Sequence, residues 1–92
     1  MVQRTVVVAS RVGLHARPAM LFTQAVAETG LPVTIARPGG EPVDAGSILF
    51  VMSLGVPSGE EVTLEAEGEG ADEALDGLVD LLATDLDAEE AS

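Results

Sequence analysis

One histidine and a nearby arginine are the residues of this chain best suited to covalent chemistry. His15 is the only histidine among 92 residues, and the chain has no cysteine, tryptophan, tyrosine or lysine. Imidazole exchanges a proton near neutral pH and has a nucleophilic nitrogen, so it can carry a phosphoryl group in a transient covalent bond. Arg17 stands two residues later and offers a planar cation that suits a bound phosphoryl group.

A helix predicted over residues 16–28 positions these two side chains. Pro18 fits its first turn, where a missing N–H costs no hydrogen bond. Unpaired N–H groups and the positive end of the helix dipole attract anions there. A phosphoryl group on His15 would therefore meet the backbone N–H groups of Ala16 and Arg17 and the Arg17 guanidinium. The apolar positions of this helix recur at helical spacing: Ala19, Phe22 and Val26.

Residue type and spacing alone also allow an ordinary surface or capping role for His15. Arg17 and Pro18 favour the chemical role without excluding the ordinary one. Gly13 is expected to let the backbone of a partner approach closely, because glycine has no Cβ. We expect Arg4 and Arg11 to be solvated, with at most a minor part in docking.

The composition predicts one small globular domain without a metal or cofactor. Apolar residues make up 47% of the chain, which suits a folded core. The absence of cysteine excludes a disulfide framework and a thiolate metal site. A single histidine cannot build an ordinary zinc or iron site.

The charge distribution argues against nucleic-acid binding. The net charge is −12, and all four basic residues lie in residues 1–37 together with a single acid, Glu28. The acidic remainder offers no cation for phosphate contacts. Apolar runs reach about five residues, far short of the about 20 that a transmembrane helix needs. With no signal peptide evident at the N-terminus, we expect a cytoplasmic protein.

The local patterns predict the element order β-α-β-β-α-β-α. The run from Ile48 to Met52 is ambiguous between a short helix and a buried strand, but an N-cap at Ser47 and a stop at Gly55 favour a helix of about two turns. We expect an α+β, two-layer open-faced sandwich, with three helices on one face of a four-stranded antiparallel sheet. The strands are predicted over 3–9, 33–36, 41–44 and 61–67. The last helix is predicted from Asp72 through Leu86, before a frayed tail over 87–92.

Two separated motifs make the sequence resemble the histidine-containing phosphocarrier family, HPr. Gly-Leu-His-Ala-Arg-Pro-Ala at 13–19 matches that family's active-site signature. Residues 46–55, with Ser-Ile followed by an apolar stretch ending Met-Ser-Leu-Gly, are similar to its second signature. The chain length and the element order match as well, so the resemblance covers nearly the whole chain.

The resemblance implies a phosphoryl carrier and not an enzyme. His15 would accept the phosphoryl group on Nδ1 from phosphorylated enzyme I, itself charged by phosphoenolpyruvate. It would pass the group to a sugar-specific enzyme IIA, with Arg17 steadying it. Family members are mostly monomeric, so we expect a monomer.

The resemblance also implies a docking surface and a regulatory serine. The docking candidates are Ala16, Met20, Ser47, Ile48, Leu49, Val51 and Met52, although core packing would account for about half of the apolar ones. Ser47 aligns with the serine that a dedicated kinase phosphorylates in some bacteria, yet it also suits a plain N-cap. Asp44, three residues before it, would oppose a phosphoserine by like-charge repulsion.

Two other function classes are compatible with parts of the sequence. The first is an HPr-like regulatory module, bound by a transcription factor or kinase, that carries little sugar-transport flux. The second is an acyl carrier, suggested by the small acidic chain and the serine of residues 44–47. The strand patterns at 3–9, 33–36 and 61–67 argue against this second class, because acyl carriers are helical bundles.

Overall fold

The computed structural model describes residues 1–84, and its element order confirms the predicted β-α-β-β-α-β-α. The predicted helical position Leu86 and the predicted frayed tail, 87–92, lie outside the described residues. Within residues 1–84 the elements are β1 (Val2–Val7), α1 (Ala16–Thr29), β2 (Val33–Ala36), β3 (Val43–Asp44), α2 (Ile48–Ser53), β4 (Glu61–Ala66) and α3 (Ala71–Leu82).

The four strands form one antiparallel sheet in the order β1-β4-β2-β3. Alternation along the strands sorts the side chains between two faces. Val6 pairs with Val62 across β1 and β4, and both are buried against the helices. Gln3 and Thr5 lie on the other face and are exposed. Pro42 directly precedes β3, which is an edge strand as the proline predicted.

The core between the sheet and the helices is aliphatic apart from one aromatic ring. Phe22 of α1 is fully buried, and the α3 stripe Leu75, Leu78 and Leu82 is at most 2% exposed. Each such side chain contributes about 1.5–3 kcal/mol when it is removed from water. The packing of α1 and α3 on the sheet therefore fixes where the N-terminus of α1 lies.

Arg4 is partly exposed to solvent, as expected, and also makes ion pairs that the sequence did not predict. It lies on the helix-facing side of β1, beneath α3. Its guanidinium contacts Asp72 at 2.9 Å and Asp76 at 3.1 Å. These acids are one helical turn apart, so a single guanidinium reaches both.

Residues 54–60, which lead from α2 into β4, are called the support segment. Residues 8–15, the loop that precedes α1, are called the histidine loop. The two are joined by backbone hydrogen bonds. Val8 N donates to Glu60 O at 3.0 Å, and Gly59 N donates to Val8 O at 2.8 Å. Leu14 N donates to Val56 O at 3.0 Å. Both ends of the histidine loop are thus bonded to the support segment.

Gly13 makes the closest approach between these two pieces of chain. Its φ is +74°, and a Cβ added there would lie 2.9 Å from Pro57 Cα and nearer still to Val56 O. The prediction that a partner's backbone approaches Gly13 is therefore wrong. The space beside this glycine is occupied by the protein's own support segment.

Arg37 joins the two ends of the support segment, a contact that the sequence did not predict. Its Nε and one terminal nitrogen donate to the two carboxylate oxygens of Glu60 at 2.6 and 2.8 Å. Its other terminal nitrogen donates to Leu54 O at 3.1 Å. The hydrogen bonds from Arg37 lower the pKa of the Glu60 carboxyl below its ordinary value.

We predict that Gly13→Ala destabilises the fold more than Gly30→Ala does. Both glycines have a positive φ, but a Cβ at Gly30 would meet no atom within 4 Å. The Gly30 variant carries only backbone strain, about 1 kcal/mol. The Gly13 variant adds a clash with backbone, for a total on the order of 3 kcal/mol. Urea unfolding measures both, and equal losses would show that the close approach is not rigid.

The ion pair of Glu60 predicts a specific pH dependence. Because the folded pKa lies below the unfolded value of about 4.3, the stabilisation is fully present above that pH and is lost as the pH falls through the folded pKa. The unfolding free energies of the wild type and Glu60→Gln should therefore converge as the pH is lowered from about 4.3. Urea titrations at a series of pH values measure this gap. A gap that stays constant down to pH 3 would contradict the assignment.

Candidate functional site

His15 stands exposed at the N-terminus of α1, next to a buried anchor. It is the N-cap of the helix, as predicted, with extended backbone angles of φ −144° and ψ 155°. Within residues 1–84 its side chain makes no capping hydrogen bond. Leu14, directly before it, is 1% exposed. The chain therefore buries Leu14 and presents the imidazole to solvent.

The backbone turns sharply between His15 and the body of the helix. Ala16 has a φ of +51° and is the one residue other than glycine with a positive φ among residues 1–84. An alanine in this conformation costs about 1–2 kcal/mol. The backbone leaves the left-handed region after Ala16, and the buried Pro18 lies in the first turn of α1. The backbone N–H groups of that turn follow directly after His15.

Arg17 supplies the cation of the site. It lies in the first turn of α1, is partly buried, and is two residues from His15. Its partial burial restricts the side chain at the N-terminal end of the helix. The structure thus places the two residues singled out from the sequence on the same short turn.

Exposed apolar side chains on α1 and α2 form what we call the apolar patch: Met20, Ile48, Leu49 and Phe50. Their exposed fractions are 46%, 37%, 76% and 53%. The two helices pack against each other, and Met20 is one turn beyond the exposed Ala16 on α1. Clustered large apolar side chains at a surface are typical of protein–protein contact sites.

The structure corrects one predicted docking residue and adds another. Val51 is fully buried, so its side chain belongs to the core and cannot contact a partner. Met52 is half-buried and packs against that core. Phe50 was not among the docking candidates, yet it is one of the most exposed apolar residues. The run from residue 48 to 52 is apolar throughout, so its periodicity did not show which side faces the core.

Ser47 is the N-cap of α2, as predicted. Its Oγ accepts a hydrogen bond from Phe50 N at 3.4 Å, and its carbonyl accepts one from Val51 N at 2.9 Å. Its own N–H donates to Asp44 O at 3.2 Å. The Asp44 carboxylate accepts a hydrogen bond from Gly46 N at 2.9 Å. Asp44 therefore belongs to the turn that holds Ser47, which gives the serine a structural role.

The structure offers neither a metal cluster nor a membrane-spanning helix in its described part. Within residues 1–84 no three histidine or acidic side chains converge so that they could hold a metal ion. None of the helices in the same range is both long and apolar enough to cross a bilayer.

Comparison with known proteins gives matches over most of the chain. A family model described as the PTS HPr component phosphorylation site matches residues 2–84. The phosphocarrier protein HPr of Streptomyces coelicolor is 48% identical over 87 residues, which cover 95% of this chain and 94% of that protein. The crystal structure of HPr from Bacillus anthracis has a TM-score of 0.83 at 38% identity, covering 88% of this chain and 95% of its own.

A relative with a different name is also similar. The HPr-like protein Crh of Bacillus subtilis is 46% identical over 78 residues, which cover 85% of this chain and 91% of Crh. A crystal structure of Crh, described as a catabolite-repression protein forming a swapped dimer, has a TM-score of 0.71 at 42% identity, covering 92% of this chain and 97% of its own.

The geometry of the site and these matches agree. A solvent-exposed histidine at a helix N-terminus, with an arginine in the first turn, lies within the region that the family model covers. The chain belongs to the HPr family, the phosphocarrier proteins of the phosphotransferase system, which carry a phosphoryl group and are not themselves enzymes.

Proposed function

We propose that His15 accepts a phosphoryl group from phosphorylated enzyme I and passes it to a sugar-specific enzyme IIA. The observation that carries this proposal is the exposed imidazole at the N-terminus of α1, held between the buried Leu14 and the strained Ala16. An imidazole so placed is accessible to a partner's active site without unfolding. A cytoplasmic location, where soluble partners would meet it, is part of the same proposal.

Each transfer exchanges one bond to phosphorus for another. In the first step a neutral imidazole nitrogen of His15, Nδ1 by family resemblance, attacks phosphorus while the bond to the enzyme I donor breaks. In the second step a nucleophile of enzyme IIA attacks, and the P–N bond to His15 breaks. Arg17 and the first-turn N–H groups of Ala16 and Arg17 stabilise the negative charge on the phosphoryl oxygens in both states.

We assign docking of both partners to the apolar patch together with Ala16. The patch supplies large apolar side chains beside a basic, histidine-bearing helix end, which suits a transient interface. Ser47 lies at the border of the patch and is half-buried. Because successive partners would use the same surface, enzyme I and enzyme IIA would bind one after the other.

Regulation at Ser47 by a kinase and phosphatase is a second part of the proposal. A phosphoryl group at a helix N-terminus gains from the helix dipole. It would also stand close to Asp44, whose carboxylate is fixed in the preceding turn. The two effects oppose each other, and the capping role of Ser47 is sufficient to explain the residue without modification.

The similarity to Crh supports one alternative, a regulatory module with little sugar-transport flux. The two functions differ in how rapidly a phosphoryl group is transferred to and from His15. We favour the carrier because the chain has both His15 and Arg17 in place.

We also propose that the protein is a monomer in solution. The Crh relative is described as a swapped dimer, and light scattering distinguishes the two states.

We predict that the purified protein, incubated with phosphoenolpyruvate and enzyme I, takes up one phosphoryl group on His15. A phosphohistidine is labile in acid and stable in base, which separates it from a phosphoserine. The matched control is Ser47→Ala, which should still be labelled, whereas His15→Ala should not. Label that survives the His15 substitution would contradict the proposal.

We predict that Arg17→Ala slows phosphoryl transfer on the order of 10- to 100-fold, since it removes a cation from the transferring phosphoryl group. The matched control is Arg11→Ala, which removes the same charge from an exposed position of the histidine loop. Circular dichroism should show both variants folded. Equal rates for the two variants would mean that Arg17 has no specific role in the transfer.

A further inference from the structure

We propose that Arg37 is a positioning residue for phosphoryl transfer at His15, acting through the support segment. Arg37 is remote from His15 in sequence and belongs to neither of the family motifs. The proposal rests on the proposed function, because it assigns Arg37 a part in that same transfer. Three structural observations lead from Arg37 to His15.

The first observation is that the Arg37 guanidinium makes hydrogen bonds to both ends of the support segment. Arg37 donates to Leu54 O, where α2 ends, and bidentately to Glu60, where β4 is about to begin. A planar guanidinium holds such a fork geometry in a way that a lysine ammonium cannot. Arg37 therefore adds a side-chain link between two ends that backbone hydrogen bonds also hold, from Leu54 N to Phe50 O and from Val8 N to Glu60 O.

The second observation is that the segment between these ends contains two glycines and several exposed residues, and that its contacts with the rest of the fold are mainly backbone hydrogen bonds. Gly55 and Gly59 lie just inside the two ends and have positive φ values of +63° and +87°. Residues 57–59 are exposed, and Val56 is the buried apolar side chain between the two glycines. Glycines at both ends allow the backbone to rotate there unless a contact across the segment prevents it.

The third observation is that the histidine loop rests on the middle of this segment. Leu14 N donates to Val56 O, and Gly13 packs against Val56 and Pro57 with no room for a Cβ. His15 follows Leu14 directly. A shift of Val56 would therefore move Leu14, and with it the imidazole, relative to Arg17 and the first turn of α1. Misplacement of a reacting group by about 1 Å can cost on the order of 100-fold in rate.

Arg4 provides a matched control for this chain of contacts. It is also an arginine with two polar links across the fold, to Asp72 and Asp76 of α3. Its carboxylate partners lie on a different element from the support segment. Arg4→Met and Arg37→Met therefore remove the same charge and a comparable number of hydrogen bonds, but only the second removes a side-chain link across the support segment.

The test compares the wild type, Arg37→Met, Arg37→Lys and Arg4→Met as substrates of enzyme I with phosphoenolpyruvate. For Arg37→Met we expect kcat to fall on the order of ten-fold with an unchanged KM, because the apolar patch is intact. Arg37→Lys should restore part of kcat through its retained charge. Arg4→Met should transfer at the wild-type rate.

Amide hydrogen exchange provides a second readout that global destabilisation does not imitate. In Arg37→Met, Leu14 N–H should exchange faster relative to Phe22 N–H, a reporter from the buried face of α1. In Arg4→Met the ratio of the two rates should be unchanged. If Arg37→Met does not fold, Glu60→Gln replaces it in both measurements. This substitution keeps the side-chain shape but weakens the bidentate hydrogen bonds from Arg37.

The outcomes separate the two levels of the proposal. A wild-type kcat for a folded Arg37→Met, or an equal acceleration of Leu14 and Phe22 exchange, overturns the positioning role. If the wild type itself takes up no phosphoryl group, the proposed function fails. In that case the hydrogen-exchange result stands on its own. If the ratio of the Leu14 to the Phe22 amide exchange rate rises only in the Arg37 and Glu60 variants, Arg37 still holds the histidine loop through the support segment.

Discussion

The contact between the histidine loop and the support segment is the constraint on which the functional end of this molecule depends. Gly13 and Leu14 lie directly against the backbone of Val56 and Pro57, joined by the hydrogen bond from Leu14 N to Val56 O. Because this contact is made by backbone atoms, it fixes the path of the chain at the residue before His15. The sheet and the packed helices then determine where the first turn of α1 begins.

The exposure of the imidazole follows from this constraint. Leu14 is drawn into the core, so an extended His15 is directed outward. The chain must then enter a helix whose core-facing residues are already fixed by packing, and the left-handed φ of Ala16 makes that turn. The strain of about 1–2 kcal/mol at one residue is small compared with the burial of Phe22 and its neighbours. The loop, bonded to the support segment, thus presents the imidazole at the surface of the folded protein.

Local sequence patterns were sufficient to predict the elements and the place of His15 and Arg17 at the start of α1, but not the contacts that hold them. Apolar spacing predicted α1 and α3, alternation predicted β1, β2 and β4, and Ser47 was recognised as a cap, because each signal comes from residues close together in the chain. The hydrogen bonds from Arg37 to Glu60 and Leu54 join residues that are far apart in sequence. Nothing in the local sequence pattern of these residues indicates the contact. Gly13 was recognised as a site of close approach, but the sequence could not show that the approaching backbone was its own.

The central proposal is that His15 carries the phosphoryl group at the start of α1, on a loop that is bonded to the support segment. Phosphorus and amide NMR spectra of the protein, recorded before and after incubation with enzyme I and phosphoenolpyruvate, test it most directly. We expect one phosphoryl signal coupled to the imidazole of His15, with the largest amide shifts at Ala16 and Arg17 and only small ones along the support segment. A phosphoryl group on another residue, or large shifts throughout the support segment, would contradict the claim.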